Sequence, residues 1–99
     1  MQPAIQRLVQ LGPFPSSSLA KAPVLRELEA LLAGVQTPVT KDEARALVRL
    51  FGPDDCFGLA WSLLYLVETS PDWPIDDALD GLSGEWIERL RERGSCRRA

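Results

Sequence analysis

Apolar residues follow a helical period along most of this chain, and no segment alternates with the period of two that is typical of strands. A first helix is predicted over Pro3 to Leu11, and Gly12 is expected to end it. A second helix is predicted from about Ala22 to Ala33, ending at Gly34. The residues predicted to face inward are Ile5, Leu8 and Val9 in the first helix and Val24, Leu25, Leu28, Leu31 and Leu32 in the second.

A third helix is predicted from a capping signal followed by an apolar stripe. Thr40 and Glu43 have the T-x-x-E spacing of a capping box, in which two side chains satisfy free backbone N–H groups at a helix start. Gly52-Pro53 is a typical helix stop. The apolar stripe between these signals consists of Ala44, Leu47, Val48 and Phe51.

The segment DDCFGLAWSLLYLVETSPDWP predicts a fourth helix over about residues 56–70. Its apolar residues cover every side of a helical wheel, which is typical of a buried helix. We therefore expect this helix to be the centre of the fold, with Asp54 or Asp55 as its cap. Gly58 and Ser62, four residues apart, are expected to let a neighbouring helix approach closely.

The remaining sequence predicts one short helical piece and a last helix. The short piece is expected at about Pro74 to Asp80, and the last helix over Gly84 to Arg93 with Ser83 as its cap. Residues 95–99 are expected to be a frayed tail. The predicted fold class is therefore all-α, a single domain over residues 1–94. We expect a small bundle of five to six short helices, joined by short antiparallel connections, around the central apolar helix.

Composition favours a folded protein of the cytoplasm. Of the 99 residues, 45% are hydrophobic and 25% are charged, which is ordinary for a soluble globular domain. The N-terminus has no basic lead followed by a long apolar run, so no secretion signal is predicted, and the longest apolar run is too short to cross a bilayer. Cys56 and Cys96 lack metal-type spacing, and we expect both to be reduced in the cytoplasm.

Charge is distributed unevenly along the chain, whose net charge is −3. Residues 1–50 and residues 83–99 each have an excess of about two positive charges. Residues 51–82 contain only carboxylates and no cation, for a net charge of about −7. This acidic middle segment is therefore the candidate surface for a partner of opposite charge.

The candidate partner-binding residues lie in this acidic segment. Trp73 lies in a loop between two prolines, and an exposed tryptophan is a frequent interface anchor. We expect it to form an acidic patch with the aspartates around it. The alternatives are that Trp73 covers the end of the central helix, and that the aspartates cap helices or pair with arginines of the last helix. The predicted set comprises Asp54, Asp55, Glu68, Asp72, Trp73, Asp76, Asp77 and Asp80.

Glu68 is the most unusual member of this set. It lies near the C-terminus of an apolar helix, where the helix dipole disfavours negative charge. We therefore expect it to be exposed, to pair with an arginine such as Arg45 or Arg49, or to serve a site.

The sequence lacks the residues that most catalytic sites need. It contains no histidine, which excludes Ser-His-Asp and Cys-His pairs and histidine zinc sites. It contains no glycine-rich phosphate loop and no G-x-S-x-G motif. We therefore predict a non-enzymatic protein without a cofactor, and the acidic total disfavours nucleic acid as a partner. A divalent-metal hydrolase using Asp54/Asp55 or Asp76/Asp77/Asp80 is the enzyme alternative.

The run over residues 54–74 resembles stretches of small uncharacterised helical bacterial proteins of the immunity and antitoxin type. Proteins of that type often mask a basic toxin with an acidic face, so the resemblance implies a module that sequesters or inhibits a basic partner protein. The segment DEARALVRLFG and the helix after it resemble the helical hairpins of HEAT-like repeats. A second hypothesis is a homodimeric adaptor that buries Trp73, Trp86 and Tyr65 across a two-fold axis, so monomer and homodimer both stay open.

Overall fold

All regular structure in the described part of the chain is helical, as the sequence predicts. The computed structural model describes residues 1–75 and 77–98, with side chains as far as Gly94. A 3₁₀ turn, Val48–Leu50, follows the third α-helix. The five α-helices of the described residues are α1 (Pro3–Leu11), α2 (Ala22–Gly34), α3 (Lys41–Leu47), α4 (Leu59–Glu68) and α5 (Glu85–Arg98).

The predicted capping box starts α3 and also ties it to α1. Thr40 Oγ1 accepts the Glu43 N–H at 3.1 Å, and Glu43 Oε1 accepts the Thr40 N–H at 2.9 Å. The second carboxylate oxygen of Glu43 accepts the Gln2 N–H at 3.0 Å. Burial alone would raise the pKa of Glu43, but the N–H groups of Gln2 and Thr40 outweigh it and lower that pKa.

The helices form two stacked hairpins. In the first, α1 and α2 are antiparallel, since Gln2 bonds to the backbone of Gln36 beyond the end of α2. In the second, the Val39 N–H just before α3 bonds to Thr69 Oγ1 just after α4 at 3.1 Å, so α3 and α4 are also antiparallel. α1 packs on α3 and α2 packs on α4. The first helices of the two hairpins therefore stack on each other, and so do the second helices, as in helical-repeat proteins.

α5 lies beside α4 and runs in the same direction. Trp86 near the start of α5 packs edge-on against Trp61 near the start of α4, with ring centroids 5.0 Å apart. Arg93, two turns further along α5, pairs with Glu68 at the end of α4. The predicted antiparallel connection is wrong for this pair, because residues 69–84 return across the bundle before α5 begins.

Several segments differ from the prediction, and one of them is α3, which ends at Leu47 and is followed by the 3₁₀ turn instead of continuing to Gly52-Pro53. The described residues of the predicted helix from Pro74 to Asp80 form turns instead, and Asp76 lies outside the described residues. α4 is shorter than predicted because it begins at Leu59. α5 continues through Arg98, so residues 95–98 of the expected frayed tail are helical, and Ala99 lies outside the described residues.

α4 is the middle helix, but it is not buried on every side as expected. Ala60, Leu63, Leu64 and Val67 are buried. Tyr65, in contrast, is 55% exposed and Ser62 is also exposed. The reason is that α2, α3 and α5 pack around α4 and leave its remaining side open to solvent. Nothing lies within 4 Å of where a Cβ on Gly58 would be, so this residue does not provide the predicted close approach.

Two residues predicted to face inward are exposed, Val9 on α1 and Val24 on α2. Both lie at the edge of an apolar stripe whose other members, such as Leu8 and Leu28, are buried. The helical period identifies the buried side of each helix, but it overestimates its width.

Candidate protein-binding surface

The predicted binding residues lie at the two ends of α4 and do not form one continuous surface. Asp54 and Asp55 precede the helix in a segment that we call the acidic turn, residues 54–58. Asp72, Trp73, Asp77 and Asp80 follow the helix in what we call the return segment, residues 69–84. Because α4 has 10 residues, about 15 Å separates its two ends.

Asp54 organises the acidic turn. Its carboxylate accepts the Ser17 N–H at 2.9 Å and the Ser17 hydroxyl at 3.1 Å, and it also accepts the Cys56 N–H at 2.9 Å. The backbone N–H of Ser17, that of Cys56 and the Ser17 hydroxyl outweigh a small opposing effect of burial and lower the pKa of Asp54. Asp54 therefore joins the acidic turn to the turn that follows α1, and it does not cap α4.

The backbone of the acidic turn is left-handed over three consecutive residues. Cys56, Phe57 and Gly58 have φ values of 47°, 55° and 87°. Only glycine adopts this conformation without steric cost, and a bulky side chain in it is a genuine outlier. The turn closes through bonds from the Gly58 and Ala60 N–H groups to the Asp55 carbonyl. Gly58 thus precedes α4 as its N-terminal cap residue.

This backbone conformation directs the Phe57 ring into solvent. Phe57 is 66% exposed, whereas its neighbour Cys56 is fully buried. Leu19, in the turn that Asp54 holds through Ser17, is 76% exposed. The carboxylate of Asp55, two residues before Phe57, is exposed and forms no ion pair with the described residues. An exposed aromatic ring beside a free carboxylate can bind a surface that is both apolar and basic.

The pKa of the Cys56 thiol reflects the negative charge of the acidic turn. Burial raises the pKa of this thiol, and the nearby carboxylates of Asp54 and Asp55 raise it further. Because only the thiolate is nucleophilic, Cys56 is an inert core residue at neutral pH, as expected for a small buried hydrophobe.

An aromatic cluster supports the acidic turn from behind. The Trp86 indole N–H donates to the Asp54 carbonyl at 3.1 Å. The ring of Trp86 also stacks on Phe51 at 5.9 Å between centroids. The guanidinium of Arg89 lies 5.1 Å from the Trp61 ring and 5.2 Å from the Trp86 ring. These contacts hold the turn on a rigid base, which reduces the entropy cost of binding a partner.

Trp73, at the other end of α4, is not the exposed anchor that we expected. It is only 4% exposed, and Ile75, Ala78 and Leu79 of the same segment are buried with it. The alternative, in which the tryptophan closes the end of the bundle, is the arrangement found. Its indole N–H has no hydrogen-bond partner among the described residues. The homodimer hypothesis loses two of its three aromatic residues, because Trp86 is also buried.

Two described aspartates of the return segment, Asp72 and Asp77, lie beside cations of α3. Arg45 pairs with Asp77 at 2.6 Å. The hydrogen bond from Arg45 is the main reason why the pKa of Asp77 is lowered. Burial opposes it, and the charges of Arg45 and Lys41 lower that pKa further. Asp72 lies beside the same two cations, since all four residues border one surface depression. Asp80 is exposed. Of the described aspartates at this end, Asp77 is paired within the chain and Asp72 lies beside the same cations.

Glu68 forms an ion pair with Arg93, and not with Arg45 or Arg49. The Arg93 guanidinium donates to both carboxylate oxygens at 2.8 Å. Glu68 is mostly buried, so this pair joins the ends of α4 and α5 and is a structural contact.

The sequence patterns do not predict that Phe57 and Leu19 are exposed, or that Ser17 donates hydrogen bonds to Asp54. A helical wheel places Phe57 in the apolar run of α4, because the wheel assumes a helical backbone and the backbone of Phe57 is left-handed. The available signal was Gly58, since a glycine directly after an apolar residue at a helix start can indicate a left-handed turn.

Within the described residues, no group of three or more His, Cys, Asp or Glu side chains is arranged to hold a metal ion. Asp76, which belongs to the alternative carboxylate set, lies outside those residues. None of the described helices has the length and apolar content that crossing a membrane requires.

Comparison with protein-family models, with curated proteins and with solved structures found no match to this chain. The resemblance to immunity proteins and antitoxins therefore stays a prediction from the sequence.

Proposed function

We propose that this protein is a non-enzymatic protein-binding module of the cytoplasm that sequesters or inhibits a basic partner protein, in the manner of an immunity protein or antitoxin. The acidic turn is the binding site in this proposal. The single observation that supports it is Phe57, an aromatic ring 66% exposed on a left-handed backbone, between Asp55 and the start of α4.

The cost of this conformation supports a binding role. A bulky residue in a left-handed conformation destabilises a fold by roughly 1–2 kcal/mol. Burial of the ring could offset that cost, but the Phe57 ring is largely in water. Strained residues of this kind are concentrated at binding and catalytic sites, where the gain is in function.

Charge supports a basic partner. Asp54 and Asp55 are adjacent, and both act on the Cys56 thiol in the same sense. An acidic surface accelerates association with a cation-rich partner, and the central aromatic residue supplies most of the affinity. Asp55 and Phe57 therefore have different roles, one in the rate of association and the other in the lifetime of the complex.

Co-expression with the product of the neighbouring reading frame tests this function. We expect the wild-type protein to restore growth if that product is toxic, and to bind it as a purified complex. Asp55→Lys and Phe57→Ala should each weaken the complex by about tenfold or more. Asp80→Lys, a matched charge reversal of an exposed aspartate outside the acidic turn, should leave it unchanged. If the neighbouring product neither impairs growth nor binds, the immunity-like function is wrong.

A further inference from the structure

An apolar groove lies between α2 and α4, and its lining begins at the residue that follows the acidic turn. The groove has a volume of about 340 Å³. Leu59, which directly follows the acidic turn, lies at one end, and Leu66 lies two turns further along α4. The other residues that line it are Glu29, Leu32, Ala33, Ser62 and Tyr65.

The charged residue that lines this groove is acidic. Glu29 is exposed on α2, and no lysine or arginine is among the lining residues. The guanidinium of Arg93 lies 5.9 Å from the Tyr65 ring, but its charge is paired with Glu68. Glu29 on the groove, and the exposed Asp55 four residues before Leu59 in the chain, are the carboxylates available to cations of a bound segment.

A second apolar groove, between α1 and α3, has the opposite charge. It is larger, about 510 Å³, and it is lined by Val9, Pro13, Ala46 and Leu50 together with two cations, Arg49 and the Arg45 that pairs with Asp77. A basic segment that enters this groove would bring like charges together, which opposes binding. Charge thus distinguishes the two grooves, although both are apolar.

We propose that the groove between α2 and α4 receives a basic amphipathic helix of the partner, with the Phe57 ring packed against the end of that helix. The groove extends about 10 Å from Leu59 to Leu66, which matches two turns of a bound helix. Its floor accepts apolar side chains spaced i, i+3 or i+4, and i+7. Lysine or arginine residues on the flanks of the helix face Glu29 and Asp55. This inference rests on the proposed function, and it adds the groove to the binding site.

A designed peptide provides the probe. It is a helix of about 14 residues with leucines at the i, i+4, i+7 spacing and lysines on the flanks, labelled for fluorescence anisotropy. A second peptide has glutamates in place of the lysines, and a third has the same composition with the leucines scattered. We expect the lysine peptide to bind the wild-type protein and the other two to bind at least about tenfold more weakly.

Substitution in the groove separates this inference from the proposed function. Ser62 is exposed in the middle of the groove, so Ser62→Arg fills it with a cation and should weaken the lysine peptide by about tenfold or more. Ser83→Arg adds the same charge at an exposed position outside the groove and should have no effect. Circular dichroism of both variants verifies that they are folded.

Each failure has its own pattern. If the lysine peptide binds and loses affinity with Asp55→Lys and Phe57→Ala but not with Ser62→Arg, the acidic turn binds the partner and the groove does not. If the scattered peptide binds as well as the amphipathic one, charge alone explains binding and the groove is again excluded. If the lysine peptide does not bind, or the glutamate peptide binds more tightly, this inference is wrong, whereas the proposed function is decided by the co-expression experiment.

Discussion

The two ends of α4 have similar sequences and opposite structural roles. Each end has an aromatic residue among aspartates, Phe57 after Asp54-Asp55 and Trp73 after Asp72. At the C-terminal end the ring is buried and Arg45 pairs with Asp77. At the N-terminal end the ring is exposed and the neighbouring carboxylate of Asp55 has no recorded ion pair within the described residues. The comparison teaches that an acidic-aromatic motif indicates a binding surface only when the chain does not satisfy it internally.

The largest contrast is expected between alanine substitutions of the two aromatic residues. Trp73→Ala should reduce the free energy of unfolding by about 3–5 kcal/mol, because it removes a large buried ring and leaves a cavity. Phe57→Ala should change it by less than about 0.5 kcal/mol, since little of the ring is buried. Urea unfolding of the two variants measures both values. Equal losses would mean that Phe57 is a structural residue, contrary to the comparison.

A pair of glycines tests how firmly each end is packed. A Cβ on Gly52, just before the acidic turn, would overlap the carbonyl oxygen of Phe14, so Gly52→Ala should cost about 3 kcal/mol. The equivalent Cβ on Gly94 would lie 3.1 Å from the Pro74 side chain. A shift of a few tenths of an ångström would relieve that contact, and alanine favours the helix by about 1 kcal/mol, so we expect Gly94→Ala to be close to neutral.

The midpoint of thermal unfolding measures this contrast between the two glycines. A Gly94→Ala variant that is as unstable as Gly52→Ala would show that the return segment is as rigidly packed as the base of the acidic turn.

Asp54 and Asp77, at the two ends of α4, should each contribute to the stability of the fold in a pH-dependent way. Both Asp54 and Asp77 have a pKa below the ordinary 3.8, so each stabilises the folded state above that pH and loses its contribution as the pH falls through the lowered pKa. Asp54→Asn and Asp77→Asn should each lower the unfolding midpoint at pH 7. Their differences from the wild type should shrink as the pH falls below 3.8 and through the lowered pKa of each group.

The salt dependence of stability distinguishes the backbone hydrogen bonds of Asp54 from the ion pair of Asp77. Asp54 is held mainly by backbone N–H groups, so its contribution should persist at about 1 M salt, whereas the exposed pair of Asp77 with Arg45 should be screened. Unfolding midpoints of the two variants at low and high salt, at constant pH, provide the measurement. A strong salt effect at Asp54 would contradict the geometry of the acidic turn.

The smallest expected effect is a gain in stability. Asparagine tolerates the left-handed conformation better than phenylalanine does, so Phe57→Asn should increase the free energy of unfolding by up to about 1 kcal/mol. The same variant should bind the lysine peptide at least about tenfold more weakly than the wild type. Stability that rises while binding falls is the expected signature of strain retained for function. A variant that is destabilised would show that the ring contributes to the fold.

Local features of the sequence were sufficient for the elements with local causes. The T-x-x-E spacing identified the capping box of α3, because Thr40 and Glu43 are three residues apart and bond to each other. Gly12 ends α1 with a φ of 81°, again a property of one residue and its neighbours. The all-α class followed from the helical period in the same way.

Contacts between distant parts of the chain could not be predicted in this way. Ser17 and Asp54 are 37 positions apart, and no pattern in either segment specifies the other. The parallel packing of α4 and α5 depends on how residues 69–84 return across the bundle, which periodicity does not describe. The burial of Trp73 and the exposure of Phe57 follow from these contacts, so the sequence predicted a set of candidate residues at two locations without distinguishing them.

The most direct test of the account is a titration of the ¹⁵N-labelled protein with the lysine peptide, followed by the backbone amide resonances. The account predicts that the largest changes occur from Asp55 to Leu59 and along the exposed side of α4 at Ser62 and Leu66, with little change from Asp72 to Asp80. Changes concentrated at Asp72 to Asp80, with the amides of the acidic turn unaffected, would contradict it.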